Sequence, residues 1–126
     1  METTRNRHLG TSPCAERIDR DTWTDQFYFL NQPDQADIQT DLFFDYQNNL
    51  KAYPIWQKWL RDHQPPMVVI WGRYDPSITI AGAEAYHKGV PGAEIPILDA
   101  GQFELDEQAP EVILLTELFL QKQRLQ

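Results

Sequence analysis

Apolar residues recur every three or four positions through the first half of the chain, then condense into short unbroken runs in the second. In DTWTDQFYFLNQP, Trp23, Phe27 and Leu30 keep helical spacing, Asp21 or Thr22 can cap the start, and Pro33 stops the run, which predicts a helix of about two turns. Ile38, Leu42, Tyr46, Leu50 and Tyr53 then follow at intervals of four, four, four and three, so one stripe of a second helix is expected to face a core. Asp34, Asp37 and Asp41 crowd its beginning, where the helix dipole favours negative charge. Pro54 ends or kinks this helix and can open another, PIWQKWLRDH, with Ile55, Trp56, Trp59 and Leu60 inward.

The pattern changes after the prolines of QPP. MVVIWG, residues 67–72, is a continuous, β-branched apolar run between Pro and Gly, which suits a strand covered on both faces in a parallel sheet. RYDPSI reads as a turn, TIAGAEAYHKGV as a modest helix ended by Gly89, and AEIPILDAG as a second strand followed by a releasing glycine. PEVILLTELFLQKQRL closes the chain as an amphipathic helix with Pro110 in its first turn. Helix, strand, helix, strand, helix argues for an α/β class built on a parallel βαβ unit. Such a unit leaves edges unpaired, and the apolar edge from Met67 to Trp71 invites pairing with a complementary chain or a second copy.

Composition adds bounds to this picture. At 126 residues the chain suits one domain or part of one. The polar first twenty residues, METTRNRHLGTSPCAERIDR, show no periodicity and are expected to form a loose leader. Eleven basic against nineteen acidic residues give a net charge of −8, which repels phosphate backbones and anionic lipid, so neither nucleic acid nor membrane is expected as a partner. No run approaches the ~18 apolar residues of a spanning helix, and no signal-peptide stretch opens the chain; a cytoplasmic location is the default expectation. A single cysteine, Cys14, allows no internal disulfide and no Cys-based metal cluster.

The pattern PPMVVIWGRYDP, then AEIPILDAGQFELDEQAPEV, resembles the C-terminal third of the α/β-hydrolase superfamily, in particular its epoxide hydrolase and haloalkane dehalogenase-like branch. Upstream, WTDQFYFLNQPDQADIQTDLFFDYQNNLKAYPIWQKWLRDHQPP is similar to the end of the cap in that branch. The resemblance covers roughly residues 20 to 120 and implies a partial hydrolase fold: the last two parallel strands, their flanking helices and the end of the helical cap. It divides the chain into a leader (1–20), the end of the cap with a connecting helix (21–52) and the C-terminal part of the core (53–126).

The same resemblance places the triad acid on Asp75 and the triad base, a histidine in a Gly-His-Phe context, on Gln102 of Gly101-Gln102-Phe103. A triad base must accept and return a proton near neutral pH, which imidazole does and a carboxamide does not. Nor does the chain contain the Gly-x-Ser/Asp/Cys-x-Gly nucleophile elbow; GTSPC, residues 10–14, lacks the closing glycine and follows no strand. The resemblance therefore implies a truncated or C-terminal member without hydrolase activity of its own, one half of a split enzyme whose partner supplies the nucleophile, or a non-catalytic binding module. The family's chemistry is hydrolysis of an ester, epoxide or carbon–halogen bond through a covalent intermediate, without metal or organic cofactor.

Other candidate residues have plainer readings. Asp75 precedes Pro76 as a turn residue and can cap the helix that follows. His87 reads as a surface residue, and His63 as a cation at a helix C-terminus. Nothing in the sequence positions His8 and Cys14 as a thiol dyad. Asp37, Asp41 and Asp45 share a helical face that reads as solvated, because one helix seldom surrounds an ion alone. Trp56, Trp59 and Trp71 read as core anchors.

Overall fold

The two apolar runs pair in parallel in the computed structural model, which describes residues 2–10, 12, 13 and 15–125. Strand β1 (Trp71–Gly72) aligns with β2 (Ile97–Leu98), Trp71 opposite Ile97 and Gly72 opposite Leu98. Pairing runs beyond these short strands: Val68 bridges Glu94, and the amides of Val69, Trp71, Arg73 and Tyr74 donate to the carbonyls of Glu94, Pro96, Leu98 and Ala100. Pro96 explains the interruption. Glu94 both donates to Met67 and accepts from Val69, but Pro96, at the next equivalent place in the ladder, has no N–H to give. Because Val69, Trp71 and Arg73 turn their backbones toward β2, those of Val68 and Ile70 face the open edge.

Seven helices surround this pairing: α1 (Glu2–Leu9), α2 (Arg20–Leu30), α3 (Gln35–Asp45), α4 (Gln47–His63), α5 (Ile80–Glu84), α6 (Glu104–Glu107) and α7 (Ala109–Arg124), with short 3-10 turns at Ala15–Arg17 and Ala85–Lys88. The mixture of helix with a small parallel sheet is compatible with a partial α/β fold. Helix α7 is tied to the strand region by an ion pair of 2.6 Å between Lys122 and Glu94. Gln64 stops α4 in the left-handed conformation, and its side-chain amide donates to the carbonyls of Leu60, Arg61 and Gly89, joining that helix end to the segment before β2. No helix among the described residues is long and apolar enough to cross a membrane.

Several expectations need correction. Where a loose leader was expected, the described residues up to 20 carry α1, which packs on α2, and His8 and Ile18 are buried to 5% and 4% exposure. The contacts responsible are remote in sequence, so periodicity could not show them. The cap of α2 is Asp19, whose carboxylate accepts the Asp21 amide at 3.0 Å, ahead of the expected Asp21 or Thr22. The break expected at Pro54 falls at Tyr46, between α3 and α4, and Pro54 lies inside α4.

The apolar stripe of α3 and α4 is also exposed where burial was expected. Leu42 is 60% exposed, and Ile38, Tyr46, Leu50, Ile55, Trp56 and Trp59 are exposed with it. Helix α3 meets chiefly its chain neighbours α2 and α4, and no described element lies over the stripe. Trp56 and Trp59 are thus not core anchors, and the run from Met67 to Trp71 is only half-buried. The buried apolar residues are Ile18, Trp23, Ala83, Val90, Ala93, Leu98 and Ala100, mostly small side chains gathered under the strand ends and the α1–α2 contact.

Gly72 is the tightest point of this packing. A Cβ there would lie 1.8 Å from the Gly101 carbonyl oxygen and 2.8 Å from that of Ala100, both backbone atoms that cannot rotate away. Gly72→Ala is expected to cost about 3 kcal/mol or more, at the upper end of overpacking effects. Urea unfolding followed by Trp fluorescence checks this, and a midpoint unchanged from the parent would show that the two loops do not meet as described.

Candidate functional site

The carboxyl ends of β1 and β2 release two loops side by side, the usual place for chemistry in an α/β layer. Asp75 stands on the first loop. Its Oδ1 accepts the amides of Ser77 at 2.7 Å and Ile78 at 3.1 Å, so the carboxylate closes the turn around Pro76 and does not cap α5 as expected; the N-cap of α5 is Thr79. Gln102 stands on the second loop, half-buried, and its Oε1 accepts the Ser77 hydroxyl at 3.0 Å. Ser77 therefore links the turn of Asp75 to Gln102, a contact across 25 positions that the sequence did not reveal.

Beneath Gln102 lies a carboxylate that sequence reading missed. Glu107 is 2% exposed; its Oε1 accepts the Gly101 amide at 2.8 Å, and its Oε2 accepts the Ser12 hydroxyl. A buried carboxylate needs such donors to offset its lost hydration. Arg17 reinforces the place by donating from Nη1 to the Glu107 carbonyl at 3.1 Å and to the Gln108 side chain at 3.3 Å. Local sequence offered no signal for a serine and a glutamate 95 positions apart.

His8 comes to the same loop from α1. Its ring stacks on Phe103 with centroids 4.3 Å apart and planes within 2°, while Nδ1 is 2.9 Å from the Thr4 carbonyl. Cys14, which nothing in the sequence positions with it as a dyad, lies outside the described residues. His63 bonds to the Trp59 carbonyl at 2.9 Å and stacks on that ring, at the end of α4 and away from Gln102. His87 is exposed in the turn after α5, and Asp37, Asp41 and Asp45 are exposed along α3. An open groove of about 420 Å³ among Val68, Glu94, Pro96, Leu115, Leu118 and Phe119 is at the opposite end of the strand pair from Asp75 and Gln102.

Burial pushes the Glu104 carboxyl above its ordinary value; a backbone hydrogen bond opposes this, and the charges of Asp75 and Glu107 add to it. What the strand-end arrangement can do chemically is limited by Gln102. Its amide orients a hydroxyl or a water, but it cannot take up a proton and return it at neutral pH.

Comparison with known proteins finds a relative in Saccharomyces cerevisiae named as an uncharacterized hydrolase, 44% identical over 94 residues. Those residues are 75% of this chain and 32% of the yeast protein, so the chain spans well under half the length of the relative it matches. No family model matches the sequence. No solved structure matches it either. The likeness is consistent with a hydrolase-like family.

Two outcomes follow from this geometry. Asp75→Ala removes the acceptor for two turn amides and is expected to cost about 1–2 kcal/mol, as loss of a capping carboxylate does, read as a lower urea midpoint. The raised Glu104 carboxyl favours the folded state while protonated, and that advantage is lost as pH rises through the raised value. Glu104→Gln should therefore unfold at higher urea than the parent at about pH 7, with the gap closing by about pH 4, in paired pH-dependent unfolding curves.

Proposed function

We propose that this chain is the C-terminal part of an α/β-hydrolase of the epoxide hydrolase and haloalkane dehalogenase-like branch, and that it has no hydrolase activity alone. Asp75 is the relict triad acid and Gln102 stands in for the base. One observation carries the proposal: Gln102, on the loop after β2, accepts a hydrogen bond from Ser77 on the Asp75 turn. The two residues that the resemblance singles out are therefore in one place, and one of them cannot relay a proton. Similarity to a protein named as a hydrolase supports the family, and the missing elbow motif supports inactivity.

A second reading has its own support. The backbone groups of Val68 and Ile70 lie on an open edge, and the apolar stripe of α3 and α4 is exposed beside a thin core. Both features suit a complementary hydrolase fragment that adds a parallel strand and supplies the nucleophile. A second copy of this chain pairing along the same edge is the competing occupant, and light scattering on the purified chain distinguishes the two.

The inactive reading is tested by hydrolysis of an activated ester and an epoxide. The purified chain should turn over neither above a matched blank, and Gln102→His should not restore activity, because no nucleophile is present for the imidazole to serve. Turnover that scales with protein and disappears in Asp75→Ala would overturn it.

A further inference from the structure

The segment containing His8, Gly10 and Ser12 has no role in the reading above, yet it touches both strand-end loops. His8 stacks on Phe103, next to Gln102. Gly10 sits against the other loop: a Cβ on it would lie 3.4 Å from the Pro76 ring carbons and 3.6 Å from the Tyr74 carbonyl oxygen. Ser12 donates to Glu107, and its Cβ is 3.3 Å from the position a Cβ on Gly101 would take. Gly10 is in the left-handed region at φ 49°, the backbone state that lets the chain turn between these contacts. Arg17 fastens the segment beyond Ser12 through its bonds to Glu107 and Gln108.

The crevice outside the carboxyl ends of parallel strands is where α/β folds receive their ligands. Here it is spanned by the chain's own residues, which make an aromatic stack on one wall, backbone contact on the other and a hydrogen bond to a buried carboxylate at the base. We propose that His8, Gly10 and Ser12 act as an internal peptide ligand of the strand-end crevice, holding the Asp75 and Gln102 loops together and closing them to other occupants. On the second reading above, this segment must leave before a complementary chain can bring its nucleophile to the site. The internal-ligand proposal itself does not depend on that reading.

Such a strap has a local energetic signature. Among the described residues its contacts include Phe103, Pro76 and Glu107 at the strand ends, so loosening it should raise opening of the two loops without unfolding the chain. Hydrogen exchange with mass spectrometry on the full chain reads this, comparing the parent with Ser12→Ala and with Gly10→Val. The first variant removes the bond to Glu107. The second places a β-branched side chain at positive φ and against the Pro76 ring.

Exchange in residues 72–78 and 99–108 should rise together, about tenfold or more, in both variants, while residues 112–122 of α7 keep the parent's rates. Unchanged exchange at both loops in both variants would overturn the proposal, as would a uniform rise across the chain, which would make the segment part of the general core. Hydrolysis is not the readout. Coupled loops support the strap whether or not the chain is active, and an inactive chain with uncoupled loops removes the strap alone.

Discussion

The backbone of Gly72 passes so close to the Gly101 carbonyl that no side chain fits between them, and the placement of both strand-end loops follows from that contact. Each loop begins where its strand ends, so the approach of Gly72 to Gly101 sets the separation of everything released after them. The Asp75 turn and Gln102 become neighbours, close enough for Ser77 to bridge them. Gly101 has a matching role on its other side. A Cβ there would lie 2.8 Å from Glu107 Oε1, the oxygen that accepts the Gly101 amide, so the bare backbone makes room for the carboxylate that holds it.

Polar contacts do much of the organising because the apolar core is thin. Its buried members are largely alanine and valine, and among the described residues no large side chain is fully enclosed. Glu107 compensates locally: it gathers Ser12 and Arg17 from the first part of the chain and Gly101 from its own loop around one helix. Removing one partner of such a group leaves the others buried and unmatched, which makes the arrangement specific as well as stabilising. The outer faces of α3, α4 and α7 are the converse, with large apolar side chains in solvent. Contiguous exposure of that kind ordinarily marks a surface meant to be covered.

These two features bear on function in opposite senses. The strand ends are built with the precision of a site, since a carboxylate, a hydroxyl and an amide are each held by a named partner. Gln102, held between them, offers hydrogen bonds that orient a neighbour and no proton to relay at neutral pH. The proposed reading, a hydrolase-like piece with an intact strand-end framework, accounts for both.

Sequence alone determined the parallel βαβ order, the helix boundaries near Pro33 and Gly89, and the choice of Asp75 and Gln102 as residues worth locating. Those are local properties: spacing, capping chemistry and turn residues act within a few positions, and motif order travels with the chain. Tertiary structure decided the rest. Periodicity identified the stripe from Ile38 to Tyr53 as apolar, but whether anything covers it depends on elements far away, and none of the described ones does. Polar composition made the first twenty residues look loose, whereas His8 and Ile18 are buried by partners that no short window contains. Glu107 looked like one charge in an acidic turn; its burial depends on Ser12, 95 positions away, and only folding brings such groups within hydrogen-bond reach.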